Sequence, residues 1–158
     1  IVRSEVLKTI GGFKEYFHDL GNYDYDWMCR ISEKHKCANI NLPLYCVNRS
    51  ENSNSITIVN PYKVIGHKIV QFLANERSQF GTDSLENNSS KLNSFVEKTY
   101  LPYKKDPSLF IYELLTGMMS ENRYKSALKL SMKAVRLNPL KLKNYRTTFY
   151  IFRKWILS

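Results

Sequence analysis

The sequence lacks the features that would place it across a membrane or outside the cell. No apolar run among its 158 residues approaches the roughly 20 residues that a membrane-spanning helix needs. The opening residues, IVRSEV, have neither the basic start nor the apolar core of a secretory signal. They also lack an initiator methionine, so we expect the chain to be an excised fragment of a longer protein.

Cysteine is scarce, with three residues in the whole chain. Cys29, Cys37 and Cys46 are odd in number and match no metal-ligand spacing. Reduced thiols in a cytosolic protein are therefore the simplest interpretation. This spacing predicts neither a metal site nor a disulfide framework.

Acidic residues are absent from the last part of the chain. Residues 60–158 hold seventeen basic and seven acidic side chains, whereas residues 1–59 hold seven of each, so the later residues supply the whole net charge of +10. Ten basic residues and no acid follow Glu121. This imbalance predicts an anionic partner: a membrane surface, a nucleic acid or a phosphate-bearing acceptor. The alternative is a solvated helical face that only keeps the protein soluble.

The most informative stretch runs from Gly11 to Arg30, GGFKEYFHDLGNYDYDWMCR. Gly11-Gly12 ends a short helical pattern over residues 3–10, because paired glycines permit positive φ. Gly21-Asn22 is a second break, and the apolar periodicity then predicts a helix over residues 23–36. The sequence thus predicts a loop between two helices, with carboxylates at the start of the second helix.

The two aspartates of this helix differ in their neighbours. Asp26 stands four residues before Arg30, so the two side chains can pair on one helix face. Asp24 has Trp27 and Met28 at the corresponding offsets and no cationic partner there. Two interpretations follow. In the first, Asp24 faces a cleft. In the second, Asp24 is a helix-cap residue, and Asp26 and Arg30 form an ion pair on the protein surface. Phe13, judged alone, is expected to lie in the core.

The order of these motifs resembles the C-terminal part of the catalytic domain of family 2 glycosyltransferases, which are inverting enzymes with the GT-A fold. The family pattern reads approximately GGF, then ED-x-D-x-x-x-R. Gly11, Gly12 and Phe13 match its first part, and Asp24, Asp26 and Arg30 match its second. Tyr23 departs from the pattern, since the family usually has Glu there. The resemblance covers residues 1–58.

The resemblance implies the roles of individual residues. The family's catalytic base corresponds to Asp24, and the acceptor-binding side corresponds to Gly11, Gly12, Phe13 and Asp26. Arg49 is the nearest match to the family arginine that contacts the donor phosphates.

The resemblance also implies partners. The donor would be a nucleotide-sugar and the acceptor a glycan or a lipid-linked glycan, in bacterial surface polysaccharide synthesis. A divalent cation, Mg or Mn, is expected in the full-length enzyme, bound by a D-x-D motif in the preceding half. No metal ligand is expected here, and the fragment alone is expected to be inactive. We expect a cytoplasmic protein, peripheral at the inner membrane, that binds no nucleic acid.

The middle of the chain carries weaker signals. Ala38, Ile40 and Leu42 alternate with polar residues and predict a short strand, which Pro43 confines to a sheet edge or a bulge. A helix follows from Pro61 to about Gln79. The polar segment TDSLENNSSKLNS, residues 82–94, is expected to be a hinge or a disordered loop.

From Pro107 onward the pattern predicts three helices. The middle one resembles the second helix of a tetratricopeptide repeat, with Tyr124, Ala127, Ala134 and Pro139 at that repeat's spacing. One such unit cannot bury its own face, so we expect a helical hairpin packed on its neighbours. The last helix is aromatic and basic, which suits either the lipid–water boundary or a core helix with an exposed polar edge.

Together these observations predict a mainly α protein with a short β segment. Residues 1–58 would end a GT-A α/β catalytic domain, residues 59–106 would form a helix and a polar linker, and residues 107–158 a basic helical hairpin extension. Two other functions remain open. The chain can be a non-enzymatic, tetratricopeptide-like interaction module, or a basic module that binds anionic surfaces.

Overall fold

The structure, a computed structural model, describes residues 2–44, 46 and 62–157. Within these residues the chain forms seven α-helices and one short 3-10 helix, Glu15–Phe17. The α-helices are α1 Ser4–Ile10, α2 Tyr23–Lys34, α3 Tyr62–Phe80, α4 Ser90–Lys105, α5 Ser108–Ser120, α6 Tyr124–Leu137 and α7 Leu142–Ile156. The expectation of a mainly α protein is confirmed.

The strand expected near Pro43 is not formed in the described residues. Residues 37–44 have no regular secondary structure, and both Ile40 and Leu42 are exposed. The alternating pattern was misleading because a strand needs a neighbouring strand to hydrogen-bond its backbone groups. The described ranges contain no strand that could pair with this segment. The remainder of this segment, including Arg49, lies outside the described residues.

The chain divides into two compact units, Ile1–Val96 and Glu97–Ser158, with the division inside α4. In the first unit α2 packs against both α1 and α3. Ile69 and Leu73 of α3 are fully buried, and the ring of Phe72 stacks on that of Phe95 in α4, with 4.1 Å between the ring centroids. The same face of α3 also buries Gly66 and Glu76.

The polar segment after α3 was expected to be a hinge or a disordered loop, and it is an ordered turn. Oδ1 of Asp83 accepts the backbone N–H groups of Leu85 and Glu86, and the N–H of Ser89 reaches the carbonyl of Ser84 at 2.9 Å. These hydrogen bonds pair the polar groups of the turn with one another. The segment is therefore an ordered turn in spite of its polar composition. The following α4 was also missed, since Pro102 lies inside it and proline usually ends a helical pattern.

The second unit contains α5, α6 and α7, with α6 packed against both other helices. Its core consists of Ile111, Leu115, Ala127, Ala134 and Ile151. Ala127 and Ala134, which stand at the spacing of the repeat, are both buried in this core. The predicted hairpin therefore has a third helix against it.

A polar network closes the second unit. The side-chain amide of Asn144 donates to the carbonyls of Ala134 and Asn138, and its oxygen accepts the hydroxyl of Tyr112. The carboxylate of Asp106 accepts hydrogen bonds from the Ser108 hydroxyl and from Lys141, which join the starts of α5 and α7.

None of the α-helices in the described ranges has the length and apolarity needed to cross a bilayer.

Candidate active site

The loop between α1 and α2 takes its shape from residues with positive φ. Gly11 ends α1 with φ 75°, and its N–H donates to the carbonyl of Leu7 at 2.9 Å. Gly21 and Asn22 have φ values of 69° and 62° immediately before α2. Both predicted breaks thus contain residues with positive φ, and Asn22 in the left-handed conformation sets the direction in which α2 begins.

Arg30 of α2 holds the glycine loop in place. Its Nη1 donates to the carbonyl of Ile10 at 2.9 Å, and its Nη2 donates to the carbonyl of Gly12 at 2.8 Å. Its remaining donor, Nε, binds Oδ2 of Asp26 at 2.8 Å. One guanidinium therefore connects the GGF motif and the D-x-D-x-x-x-R motif, which are separate in the sequence.

Trp27 makes a second link between the same two segments. Its indole Nε1–H donates to the carbonyl of Gly11 at 2.9 Å. The backbone carbonyls of Gly11 and Gly12 thus point toward α2 and are already engaged. In this geometry the two glycines shape the loop and do not offer these carbonyls to a ligand.

Phe13 lies on the surface, so the expectation that it is a core residue is wrong. Its side chain is 58% exposed, and it contacts Tyr23 and Trp27 edge to face, with centroid distances of 5.0 and 5.3 Å. The reason is that the hydrogen bonds from Arg30 and Trp27, which are distant in sequence, hold the loop over the start of α2 and turn Phe13 outward. Phe13 and Tyr23 are exposed and Trp27 is partly buried; we call these three rings the aromatic platform.

Asp24 lies in the first turn of α2, next in the chain to Tyr23 of the aromatic platform. Its side chain is exposed, and Oδ1 accepts the backbone N–H of Tyr25 at 2.8 Å. No ion pair to Asp24 occurs among the described residues. This agrees with the sequence, in which the residues three and four positions later, Trp27 and Met28, carry no charge. The carboxylate is thus accessible to solvent and free of a cationic partner in that part of the chain.

Asp26 lies inside the protein, two residues further along the same helix. The predicted pair with Arg30 is confirmed, but it is buried and not a surface pair, since Asp26 is 0% exposed. Its Oδ1 accepts no hydrogen bond within the described ranges and lies 3.8 Å from Nη1 of Arg77. This burial keeps the Asp26 carboxylate away from solvent.

The sequence reading missed the charged network around Asp26. Arg77 of α3 donates from Nε and Nη2 to both carboxylate oxygens of Glu33, each at 2.8 Å, and from Nη1 to Asp83 at 2.6 Å. Burial alone would lower the pKa of Arg77, but the hydrogen bonds to Glu33 and Asp83 outweigh burial and raise this pKa above its ordinary value. Lys14 adds ion pairs to Asp83 and Glu86, which tie the loop to the turn after α3.

Two carboxylates of this network are held ionised. Burial opposes ionisation of Asp83, yet the backbone N–H of Glu86 and the Arg77 guanidinium lower its pKa. Burial also opposes ionisation of Glu76, but Lys91 and the hydroxyl and N–H of Ser84 lower its pKa. One signal was available in the sequence: Glu76 follows Ile69 and Leu73 on the apolar stripe of α3, where a charge requires a partner.

A cavity of about 530 Å³ lies beside this network. Its walls include Lys14, Arg30, Glu33 and Arg77, and neither Asp24 nor Phe13 lines it. The cations in its walls are engaged by the carboxylates and carbonyls described above, except Lys34, which is exposed. The accessible carboxylate and the aromatic platform form an open surface, separate from this cavity.

Within residues 2–44, 46 and 62–157, no group of three or more His, Cys, Asp or Glu side chains could hold a metal ion. Arg49, the candidate for donor phosphates, is outside these ranges. Comparison of the chain with protein-family models, with curated proteins and with solved structures finds no match.

Proposed function

We propose that residues 1–58 form the acceptor side of the catalytic domain of an inverting glycosyltransferase with the GT-A fold. One observation carries the proposal. Arg30 binds Asp26 and the Gly12 carbonyl at 2.8 Å each, so the two motifs that resemble family 2 enzymes meet in space. This arrangement gives the residues distinct roles: Asp26 and Arg30 build the frame, and Asp24 is left accessible.

The chemistry assigned to Asp24 is general base catalysis. In an inverting transfer, the acceptor oxygen forms a bond to the anomeric carbon while the bond from that carbon to the nucleotide diphosphate breaks. The electron pair of the breaking bond leaves with the diphosphate, and the proton of the acceptor hydroxyl passes to the Asp24 carboxylate. A positioned base of this kind typically contributes 10²–10⁴-fold to the rate, as an order of magnitude.

The aromatic platform supports an acceptor of carbohydrate character. Sugar rings present C–H faces that pack against aromatic rings, and binding sites commonly combine such rings with a few polar groups. Phe13 and Trp27 supply the rings, and Asp24, at the start of the same helix, supplies the polar group. We assign acceptor contact to Phe13, and we assign the shaping of the loop to Gly11 and Gly12.

The donor side completes the proposal. A divalent cation, Mg or Mn, bound by the donor half of the full-length enzyme would neutralise charge on the leaving diphosphate. Arg49 stays a proposed contact to the donor phosphates. The proposed enzyme acts on a glycan or lipid-linked acceptor in bacterial surface polysaccharide synthesis, at the cytoplasmic side of the inner membrane.

The test is a transfer assay on the full-length protein that carries this chain. Nucleotide release would be followed with a panel of nucleotide-sugars, with and without bacterial surface glycans as acceptors. We expect release from one donor and an increase when the correct acceptor is added. The absence of release from every donor, in a folded protein supplied with Mg or Mn, would contradict the proposal.

A further inference from the structure

The last helix exposes a continuous apolar stripe. Five side chains at alternating spacings of three and four residues are between 42% and 71% exposed: Leu142, Tyr145, Phe149, Phe152 and Ile156. Residues at this spacing lie along one side of an α-helix. We call these five residues the α7 stripe.

The α7 stripe is not the face with which α7 packs into its own unit. That face carries Asn144 and Ile151, which are 1% exposed and pack with α5 and α6. At 100° per residue, the stripe is centred roughly 130° around the helix from Asn144 and Ile151. Trp155 lies between the buried face and the stripe, with Nζ of Lys125 at 6.0 Å from its ring centroid. The second unit thus leaves the stripe uncovered.

Cations border the stripe. Arg146 and Arg153 follow Tyr145 and Phe152 directly and lie on one flank of the helix, and both are exposed. Of the ten basic residues after Glu121, the described ion pairs engage only Arg123, with Glu121, and Lys141, with Asp106. The positive charge beside the stripe is therefore not neutralised within the described part of the chain.

We propose that the α7 stripe docks on a lipid bilayer that contains anionic headgroups, with α7 lying in the plane of the interface. An apolar stripe with cations along its edge matches a surface of acyl chains beneath phosphate groups. Aromatic side chains such as Tyr145 and Phe149 suit the headgroup depth. This inference rests on the second unit alone and does not depend on the proposed glycosyl transfer.

Charge favours the bilayer over a second copy of the chain. A symmetric dimer through the stripe would place Arg146 and Arg153 of one copy near the same residues of the other, with no acid in this region to separate them. Like charges brought together at an interface oppose association. An anionic bilayer instead supplies the missing negative charge.

The experiment is flotation of the full 158-residue chain with phosphatidylcholine vesicles, with and without phosphatidylglycerol. We expect flotation with the anionic vesicles only, and a decrease as salt is added. The stripe variant is Phe149→Ser with Phe152→Ser, matched by Ile40→Ser with Leu42→Ser, which are also exposed. Each buried Phe contributes roughly tenfold, so the stripe variant, which lacks two of them, should bind roughly 100-fold more weakly than its control.

A second pair of variants tests the charges. Arg146→Glu with Arg153→Glu is matched by Lys36→Glu with Lys98→Glu, which changes net charge equally at exposed positions outside α7. Each cation near an anionic surface contributes about fivefold, so the Arg variant should bind roughly 25-fold more weakly or worse, and more weakly than its matched control. Circular dichroism checks that all variants keep their helices.

Several results would overturn the inference. No flotation with anionic vesicles at low salt would exclude bilayer docking. Equal binding by the stripe variant and its control would mean that the apolar side chains do not enter the bilayer. A concentration-dependent dimer that the stripe variant abolishes would identify a second copy as the occupant. Binding to RNA that competes fully with the vesicles and is insensitive to the stripe variant would assign the cations to nucleic acid.

Discussion

Asp26 and Arg30 form a buried ion pair one turn apart on α2, with Nε donating to Oδ2 at 2.8 Å. The same guanidinium donates to the carbonyls of Ile10 and Gly12. Because Asp24 lies two residues earlier, it points to another side of the helix and is exposed. The pair thus separates two neighbouring aspartates into a structural one and an accessible one.

The first prediction concerns the stability that this pair provides. Asp26→Asn leaves the charge of Arg30 buried without its partner, and breaking a buried pair in this way costs about 3 kcal/mol of unfolding free energy. Asp24→Asn is the matched control, because an exposed substitution usually changes stability by less than about 0.5 kcal/mol. Urea unfolding of both variants measures the difference. Equal effects would mean that the pair is not stabilising.

The second prediction concerns Gly66, which faces the turn before α2. A Cβ on Gly66 would lie 2.4 Å from Nδ2 of Asn22 and 3.3 Å from the carbonyl oxygen of Leu20. Gly66→Ala should therefore displace this turn and destabilise the protein by about 1 kcal/mol in spite of the better helix propensity of Ala.

Gly117 of α5 provides the control for Gly66. A Cβ at Gly117 meets nothing within 4 Å, so Gly117→Ala should stabilise the protein by roughly 0.5–1 kcal/mol. Thermal unfolding of the two variants should give shifts of opposite sign. Stabilisation by both substitutions would show that the turn before α2 can move away from the new Cβ with no loss of unfolding free energy.

The third prediction concerns acid stability. Burial opposes ionisation of Asp106, but hydrogen bonds from Lys141, Ser108 and Asn138 outweigh it and lower its pKa to about 2. A carboxylate with a lowered pKa contributes stability above its unfolded value, and the contribution is lost as the pH falls through the folded value. The contribution of Asp106 should thus be complete above about pH 4 and lost by about pH 2.

Chemical unfolding at a series of pH values tests this prediction. The difference in unfolding free energy between the wild type and Asp106→Asn should shrink between about pH 4 and pH 2. Glu97→Gln removes an exposed acid of α4 and should follow the wild-type curve. A wild-type advantage over Asp106→Asn that does not change with pH would contradict the assigned network.

Apolar periodicity was sufficient to predict most of the helices. It predicted α3 within a few residues and the existence of three helices in the second unit, since Ile69, Leu73, Ala127 and Ala134 recur at helical spacing and are buried. It failed for α4, where Pro102 interrupts the pattern, and near Ile40, where alternation had no partner strand. Apolar periodicity is a property of one segment of the chain, whereas a strand also needs a second strand that pairs with it.

The candidate site was predictable only in its local parts. The Asp26–Arg30 pair follows from an i, i+4 spacing, and the accessibility of Asp24 follows from the lack of such a partner. The bonds from Arg77 to Glu33 span 44 residues, so no local pattern reveals them. The exposure of Phe13 depends on the same long-range order, because Arg30 fixes the loop from a distance of eighteen residues.

The central claim is that Asp24 is the base of a sugar transfer, and one comparison tests it most directly. In the full-length enzyme, Asp24→Asn should lower the rate of transfer by at least about 100-fold while nucleotide binding and unfolding free energy stay unchanged. Asp26→Asn should instead lower stability, and its activity should fall in proportion to the unfolded fraction. Near-normal turnover by folded Asp24→Asn would contradict the claim.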